Sequence, residues 1–359
     1  MKFFLKKSVL KILKKSVFLS IVTFSVFTIT FLSSCASEPE IQLVQEPIDE
    51  TLNIPEGHIY FKDFAGIHSF KPIQNAKPHP YDLTKFTKKG EKVFYNDEKY
   101  ESVLGIDVSR HVGRINWKKV KKAGYDFVII RLGWRGYETG ILHVDERFHK
   151  NIKGAQKAGL EVGVYVFSQA LNEEEALEEA LLAIEELKKY KITMPVVFDP
   201  EDIYPGPART DDVTGEQFTK NTLLFLETVK EAGYTPMIYS NLNWQGFVLD
   251  IMQLQDYKMW YADYKPLPRT PYNFEFWQYT SKGKVPGVHY ECDIDLWIRE
   301  KTQETVINDP VFTEEQENNA ETPSEVLPKE EFEGTDDADI SSETNYLEYG
   351  EQKNGESNE

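Results

Sequence analysis

The strongest chemical signal in this 359-residue chain is a pair of carboxylates one residue apart at the end of an apolar run, Val196-Val197-Phe198-Asp199-Pro200-Glu201. On an extended strand, residues i and i+2 share a face. The two carboxyl groups would then sit roughly 6.6 Å apart along the backbone. One can donate a proton to a leaving oxygen while the other stabilises positive charge at a sugar's anomeric centre. An isolated Asp-x-Glu can equally open an exposed acidic loop, so its weight depends on its company. Polar residues close other apolar runs in the same way: Asp107, Arg131, Tyr165, Ser168, Tyr239, Asn241, Asp263, the triplet Trp277-Gln278-Tyr279, and Asp293 with Asp295. Carboxyl groups gathered at one mouth raise one another's pKa, as an acid catalyst needs. Aromatic walls stack on sugar rings.

Such a set needs a scaffold that brings distant strand ends together. From Leu104 onward, short apolar runs alternate with amphipathic stretches that end in glycine, as helix C-termini do. Strands are expected at Leu104–Ser109, Phe127–Leu132, Val162–Ser168, Pro195–Asp199 and Pro236–Asn241. Between and after them, helices are expected near Asn116–Ala123, Glu146–Ala158, Glu173–Tyr190, Gly215–Ala232 and Trp244–Leu254. The helices then stop, and Lys258–Tyr264, Phe274–Thr280 and Glu291–Trp297 read as strands joined by proline-containing loops. Apolar strands alternating with helices indicate a parallel sheet covered by helices. Eight strands in about 200 residues point to closure into a barrel. A doubly wound sheet would call for a glycine-rich phosphate loop after the first strand, and Asp107-Val108-Ser109-Arg110-His111 is not one. The expected fold class is α/β, a modified TIM-like barrel of five strand–helix units followed by three strands, (β/α)5β3.

The flanks differ in character. Six lysines between Lys2 and Lys15 precede an uncharged run from Ser16 to Leu32, and Leu32-Ser33-Ser34-Cys35 follows directly. The four residues resemble a bacterial lipobox, in which cleavage before Cys35 is followed by acylation of its thiol. A plain signal anchor with an incidental cysteine is the alternative; both make the body exported and tethered. Residues 1–34 are thus read as a lipoprotein signal peptide and 35–56 as a tether. Residues 57–100 show no sustained period and are expected to be an irregular extension. Residues 101–301 form the barrel. The net charge of −18 is concentrated in the tail that begins at 302, which has the composition of a disordered segment. That balance argues against nucleic acid as a partner. With two cysteines in all, of which Cys35 is the lipidation candidate, no disulfide or Cys/His metal cluster is expected, and Cys292 reads as a small buried apolar residue. The Glu173–Glu179 run reads as a solvated helix face.

Residues 104 to about 298 resemble glycoside hydrolase family 25, the lysozyme-type N-acetylmuramidases. The resemblance is carried by Gly105-Ile106-Asp107-Val108-Ser109, Phe127-Val128-Ile129-Ile130-Arg131, Gly163-Val164-Tyr165-Val166-Phe167-Ser168 and Phe198-Asp199-Pro200-Glu201. It continues through Ile238-Tyr239-Ser240-Asn241, Trp260-Tyr261-Ala262-Asp263-Tyr264, Trp277-Gln278-Tyr279-Thr280 and Cys292-Asp293-Ile294-Asp295. It implies that Glu201 is the general acid, that Asp199 orients the substrate's own 2-acetamido group, and that Asp107 and Asp293 are the accompanying acidic pair. It also implies a glycan cleft shaped by Tyr165, Tyr239, Trp260 and Trp277, with Arg131, Asp263, Gln278 and Asp295 as further substrate-binding residues. The implied activity is hydrolysis of the β-1,4 bond between N-acetylmuramic acid and N-acetylglucosamine in peptidoglycan, by a monomer without metal or organic cofactor. Two departures stand out: the last motif reads Asp-x-Asp where many relatives have Asp-x-Asn, and Pro200 separates the central carboxylates. Rival readings are a non-catalytic peptidoglycan-binding lipoprotein and a hydrolase of another N-acetylhexosamine polymer such as chitin.

Overall fold

The computed structural model describes residues 38–47, 51–63, 65–203 and 206–301. The leader, Cys35 and the tail from 302 onward lie outside the described residues. In the unit that begins at Glu40, five short strands come first: β1 (Ile41–Gln42), β2 (Ile59–Asp63), β3 (Gly66–Phe70), β4 (Phe86–Lys89) and β5 (Lys92–Tyr95). The apolar runs beyond them become β6 (Tyr100–Val108), β7 (Phe127–Arg135), β8 (Leu142–Val144), β9 (Glu161–Ser168), β10 (Val196–Pro200), β11 (Pro236–Asn241), β12 (Lys258–Ala262), β13 (Phe276–Gly283) and β14 (Cys292–Glu300). The helices are α1 (Trp117–Lys122), α2 (Phe148–Lys157), α3 (Glu173–Leu187), α4 (Gly215–Glu231) and α5 (Ile251–Leu254).

Helix starts follow local chemistry. Asn116, Asn172 and Thr214 each accept a hydrogen bond from the backbone N–H three residues on, which caps α1, α3 and α4. After α2, Gly159 adopts φ 79°, a conformation an L side chain would resist. The helix expected at Trp244–Leu254 is broken in two. A π-type turn covers Trp244–Val248, Leu249 is extended, and the Asp250 carboxylate caps the short α5.

Eight strands close into a barrel in the order β6, β14, β13, β12, β11, β10, β9, β7, with β7 pairing back to β6. All neighbours run parallel except β14, which is antiparallel to both β13 and β6. That reversal has a chemical consequence. The first residues of β14, including Asp293, lie at the same mouth as the last residues of the parallel strands, and Asp293 stands opposite Asp107. One face of each strand fills the barrel with Phe127, Ile129, Val197, Met237, Trp260 and Phe276. The other face, with Val128, Ile130, Phe198 and Ile238, packs under the apolar sides of the helices. Gly105 points inward, where a Cβ would meet the Phe127 ring at 2.3 Å.

Residues 57–100 are regular, contrary to the expectation of an irregular extension. β2 and β3 form a hairpin, and β1, β4 and β5 form a three-stranded sheet. The edge strand β1 comes from the expected tether, pairing Ile41 with Lys88 and Gln42 with Thr87. The reason lies in the barrel's own outline. No helix separates β12, β13 and β14, yet their outward side chains Tyr261, Trp277, Tyr279, Ile294 and Leu296 are apolar and buried. The extension supplies the cover. Phe86 stands edge-on to Trp277 at 5.6 Å, Tyr81 donates to the Phe274 carbonyl at 2.7 Å, and Tyr279 donates to the Glu91 carbonyl at 3.2 Å.

Candidate active site

Strand alternation decides which of the expected residues meet. Asp107, Arg131, Tyr165, Asp199, Tyr239, Trp260, Gln278, Asp293 and Asp295 all lie on inward-facing positions of their strands, at or below the mouth. Glu201 follows directly from β10. Asp107, Asp199 and Asp295 are buried, whereas Glu201 and Asp293 are half-buried and open to solvent.

The carboxyl groups are close enough to govern one another's ionisation. Burial pushes Glu201 up to about 7; the Asp293 and Asp202 charges add to this, and a hydrogen bond from Tyr239 works against it. Burial likewise raises Asp293 to about 7. Asp199 is raised by burial and then by the Glu201 charge, while Arg131 favours its ionised form. Two carboxyls in that relation hold a proton to near neutrality and titrate as a pair.

Gln278 organises the cavity. Its Nε2 donates to Asp107 Oδ2 at 2.7 Å, and its Oε1 accepts from Tyr264 at 2.8 Å and lies 3.2 Å from the Tyr239 hydroxyl. The Gln278 carbonyl oxygen has two lone pairs and accepts from both tyrosines, and the Tyr239 hydroxyl also lies within hydrogen-bond reach of Glu201. Trp260 lies beneath: 1% exposed, it sends its indole N–H to Asp295 Oδ1 at 2.8 Å and meets the Tyr239 ring edge-to-face at 4.9 Å. It is a floor that holds Tyr239 and Asp295, not a stacking wall. One oxygen of Asp199, Oδ1, is buried without a hydrogen-bond partner.

Two expected substrate contacts are placed elsewhere, and a third faces inward but is engaged in an ion pair. Trp277 neighbours Gln278 in sequence and therefore faces outward; it is fully buried against the N-terminal sheet and donates to the Asp263 carbonyl at 2.9 Å. Asp263 follows inward-facing Ala262, and its carboxylate takes a two-point ion pair from Arg269 at 2.8 Å plus the Tyr261 hydroxyl at 2.9 Å. Arg269 also donates to the Tyr60 carbonyl, so this pair anchors the β2–β3 hairpin. Arg131 is buried and paired with Asp145 at 2.8 Å, so its influence on Asp199 is through charge.

Sequence reasoning passed over Tyr264 and Asp145. Tyr264 is 41% exposed with its hydroxyl in the Gln278 network, which places an exposed aromatic ring beside the acidic cluster. Its position just past a strand end was the available signal. Asp145, which also accepts from the Arg110 N–H, sits in a loop with no such signal. The Glu173–Glu179 run is not simply a solvated face. Glu179 is buried against Arg135 at 2.7 Å with its carboxyl pushed up to about 7 by burial, and Glu175 pairs with Arg209. Cys292 is buried and its thiol is shifted upward by burial. Among the described residues, no cluster of His, Cys, Asp or Glu is arranged to hold a metal ion.

The family model for glycosyl hydrolases family 25 matches residues 106–288, just over half the chain, and the protein belongs to that family. Lysozyme M1 of Streptomyces globisporus is 27% identical over 53% of this chain and 66% of its own length. The uncharacterized protein YegX of Escherichia coli K12 is 26% identical over 55% of this chain and 70% of its own. Among solved structures, the modular autolysin LytC of Streptococcus pneumoniae, determined with a synthetic peptidoglycan ligand, aligns with a TM-score of 0.50 at 25% identity. That alignment covers 68% of this chain, which spans only 57% of the autolysin.

Proposed function

We propose that the protein is an exported muramidase, lipid-anchored through Cys35 on the extracytoplasmic side of an envelope membrane. It hydrolyses the β-1,4 bond between N-acetylmuramic acid and N-acetylglucosamine in peptidoglycan. The observation that carries this reading is the asymmetry of the central pair: Glu201 is half-buried with its carboxyl at about 7, and Asp199 below it keeps a buried oxygen without a donor. Glu201 reaches the solvent-open cleft still protonated near neutrality and gives its proton to the leaving glycosidic oxygen. Asp199 Oδ1 accepts the N–H of the substrate's 2-acetamido group. So oriented, the acetamido oxygen closes on the anomeric carbon as the C–O bond breaks, and Asp199, whose ionised form the Arg131 charge favours once Glu201 carries the pair's proton, stabilises the resulting oxazolinium-like cation. Water, deprotonated by the Glu201 carboxylate, then opens that ring with retention of configuration. Asp107 and Asp293 hydrogen-bond the sugar, and Tyr165, Tyr239 and Tyr264 shape the cleft around it. Family membership and the similarity to a lysozyme support the substrate class.

The test is digestion of purified sacculi followed by mass spectrometry. Wild-type protein releases muropeptides ending in reducing muramic acid. Glu201→Gln reduces the rate by a factor of 10² or more, on the scale of a lost general acid, and Asp199→Asn does so severely while the fold persists. Sacculus binding without new reducing ends in the wild type would favour a binding protein. Turnover of chitin alone would favour a different N-acetylhexosamine polymer.

A further inference from the structure

Asp107 and Asp295 face each other across the closing seam of the barrel. The antiparallel register pairs Gly105 with Asp295 and Asp107 with Asp293, so Asp107 and Asp295 are diagonal neighbours on the inward face. Gly105 carries no side chain to separate them. The two carboxyls are within hydrogen-bond reach of each other. Asp295 Oδ1 is taken by the Trp260 indole and Asp107 Oδ2 by the Gln278 amide. Asp295 Oδ2 is buried with no donor.

Two ionised carboxylates offer only acceptors to each other. The other charged groups facing them do not relieve the conflict. Asp293 on β14 and Asp199 on β10 add negative charge. Arg131 on β7 is turned to Asp145. Tyr165, Tyr239 and Tyr264, on or just beyond β9, β11 and β12, are held neutral by burial.

We propose that Asp107 and Asp295 hold one proton between them, and that Asp295 is thereby a positioning residue for Asp107 in the cleft. The shared proton satisfies the otherwise orphaned oxygen and fixes the Asp107 carboxyl between Asp295 and Gln278. It also leaves the pair with a single negative charge, which limits how far the cluster raises Glu201. The inference rests on the muramidase reading for its role in catalysis, but its existence does not.

Proton uptake on folding tests it without substrate. It is read from the slope of unfolding free energy against pH, above the ordinary carboxylate pKa of ~4 and below neutrality. In that window the folded pair keeps a proton that the unfolded chain has released. An amide at either position donates permanently to the remaining carboxylate. Asp107→Asn and Asp295→Asn should therefore each lower the uptake by about one proton, and the double variant by about one, not two. Additive loss of two would mean that each carboxyl is protonated by burial alone; no loss would mean that neither is. Either overturns the proposal. If Asp107→Asn does not fold, carboxyl ¹³C titration of the wild-type protein decides, since a shared proton makes Asp107 and Asp295 titrate together in two widely separated steps. Titration of each in a single independent step overturns it.

Hydrolysis supplies the functional readout. Replacing a shared-proton pair by an amide and a carboxylate changes no charge, so the alkaline midpoint of sacculus digestion should not move in Asp295→Asn. A fall in that midpoint would show that Asp295 had been ionised. Absence of hydrolysis in the wild type, with non-additive uptake intact, would sink the muramidase reading and leave the shared proton standing.

Discussion

At the scale of single residues, the barrel mouth raises the carboxyls of its acids above the range of a free carboxylic acid. Burial puts both Glu201 and Asp293 at about 7, with neighbouring charge adding to the shift at Glu201. The acid form of Glu201 is present below that value and lost above it, so kcat/KM for sacculi should fall on the alkaline side with an apparent pKa near 7. The same raised values mean that the folded cluster binds protons the unfolded chain has released above ~4. Stability from these groups is therefore complete at acid pH and declines as pH rises through neutrality. A pH-rate profile with an alkaline midpoint well above 9 would mean that Glu201 is not the titrating acid. The carboxylates themselves were legible as residues: Asp107, Asp199, Glu201, Asp293 and Asp295 each end or begin an apolar run, and all reach the same cavity. Their partners were not, because Gln278 and Asp107 are 171 residues apart and nothing local to either specifies the contact.

Among the elements, β13 shows how much the period of two decides. Phe276 and Gln278 face the barrel interior, so Trp277 and Tyr279 must face out. The resemblance placed Trp277 in the glycan cleft; alternation along its own strand placed it under the N-terminal sheet. Exchange experiments separate the two faces. Trp277→Ala should cost about 3–5 kcal/mol of stability, the range for a buried aromatic, with no change in KM for glycan where the protein stays folded. Gln278→Leu keeps similar bulk but removes the donor to Asp107 and the acceptor for two tyrosines, and should depress kcat strongly at a smaller stability cost. Denaturant titration alongside sacculus digestion reads both. An intact rate in Gln278→Leu would remove that amide from the mechanism. Trp260 fits the same logic, since an inward position near the barrel floor yields a buried support for Tyr239 and Asp295.

For the molecule as a whole, the barrel is covered by two kinds of layer. Helices pack over the parallel strands, the segment around β4 and β5 packs where β12 to β14 have none, and the β2–β3 hairpin lies against Phe247 of the turn after β11. The acidic site and the extension are thus parts of one folding unit. A chain beginning at residue 101 would expose Trp277, Tyr279 and Phe274, and should lose the cooperative thermal transition seen by circular dichroism rather than yield an active minimal barrel. A stable, active fragment would show that the extension is dispensable. Sequence by itself determined what local periodicity can encode: the order of strands and helices, the inward or outward parity of each side chain, and the set of strand-end acids. Tertiary structure alone decided which of those side chains meet. Closure brings β14 antiparallel against β6 and sets Asp293 and Asp295 beside Asp107. It also turned residues 57–100 from an aperiodic stretch into ordered sheets, because their aromatic rings have somewhere apolar to go only once the barrel's uncovered side exists. Contacts between residues far apart in the chain are selected by the free energy of burying surface in the assembled fold, and no window of sequence carries that information.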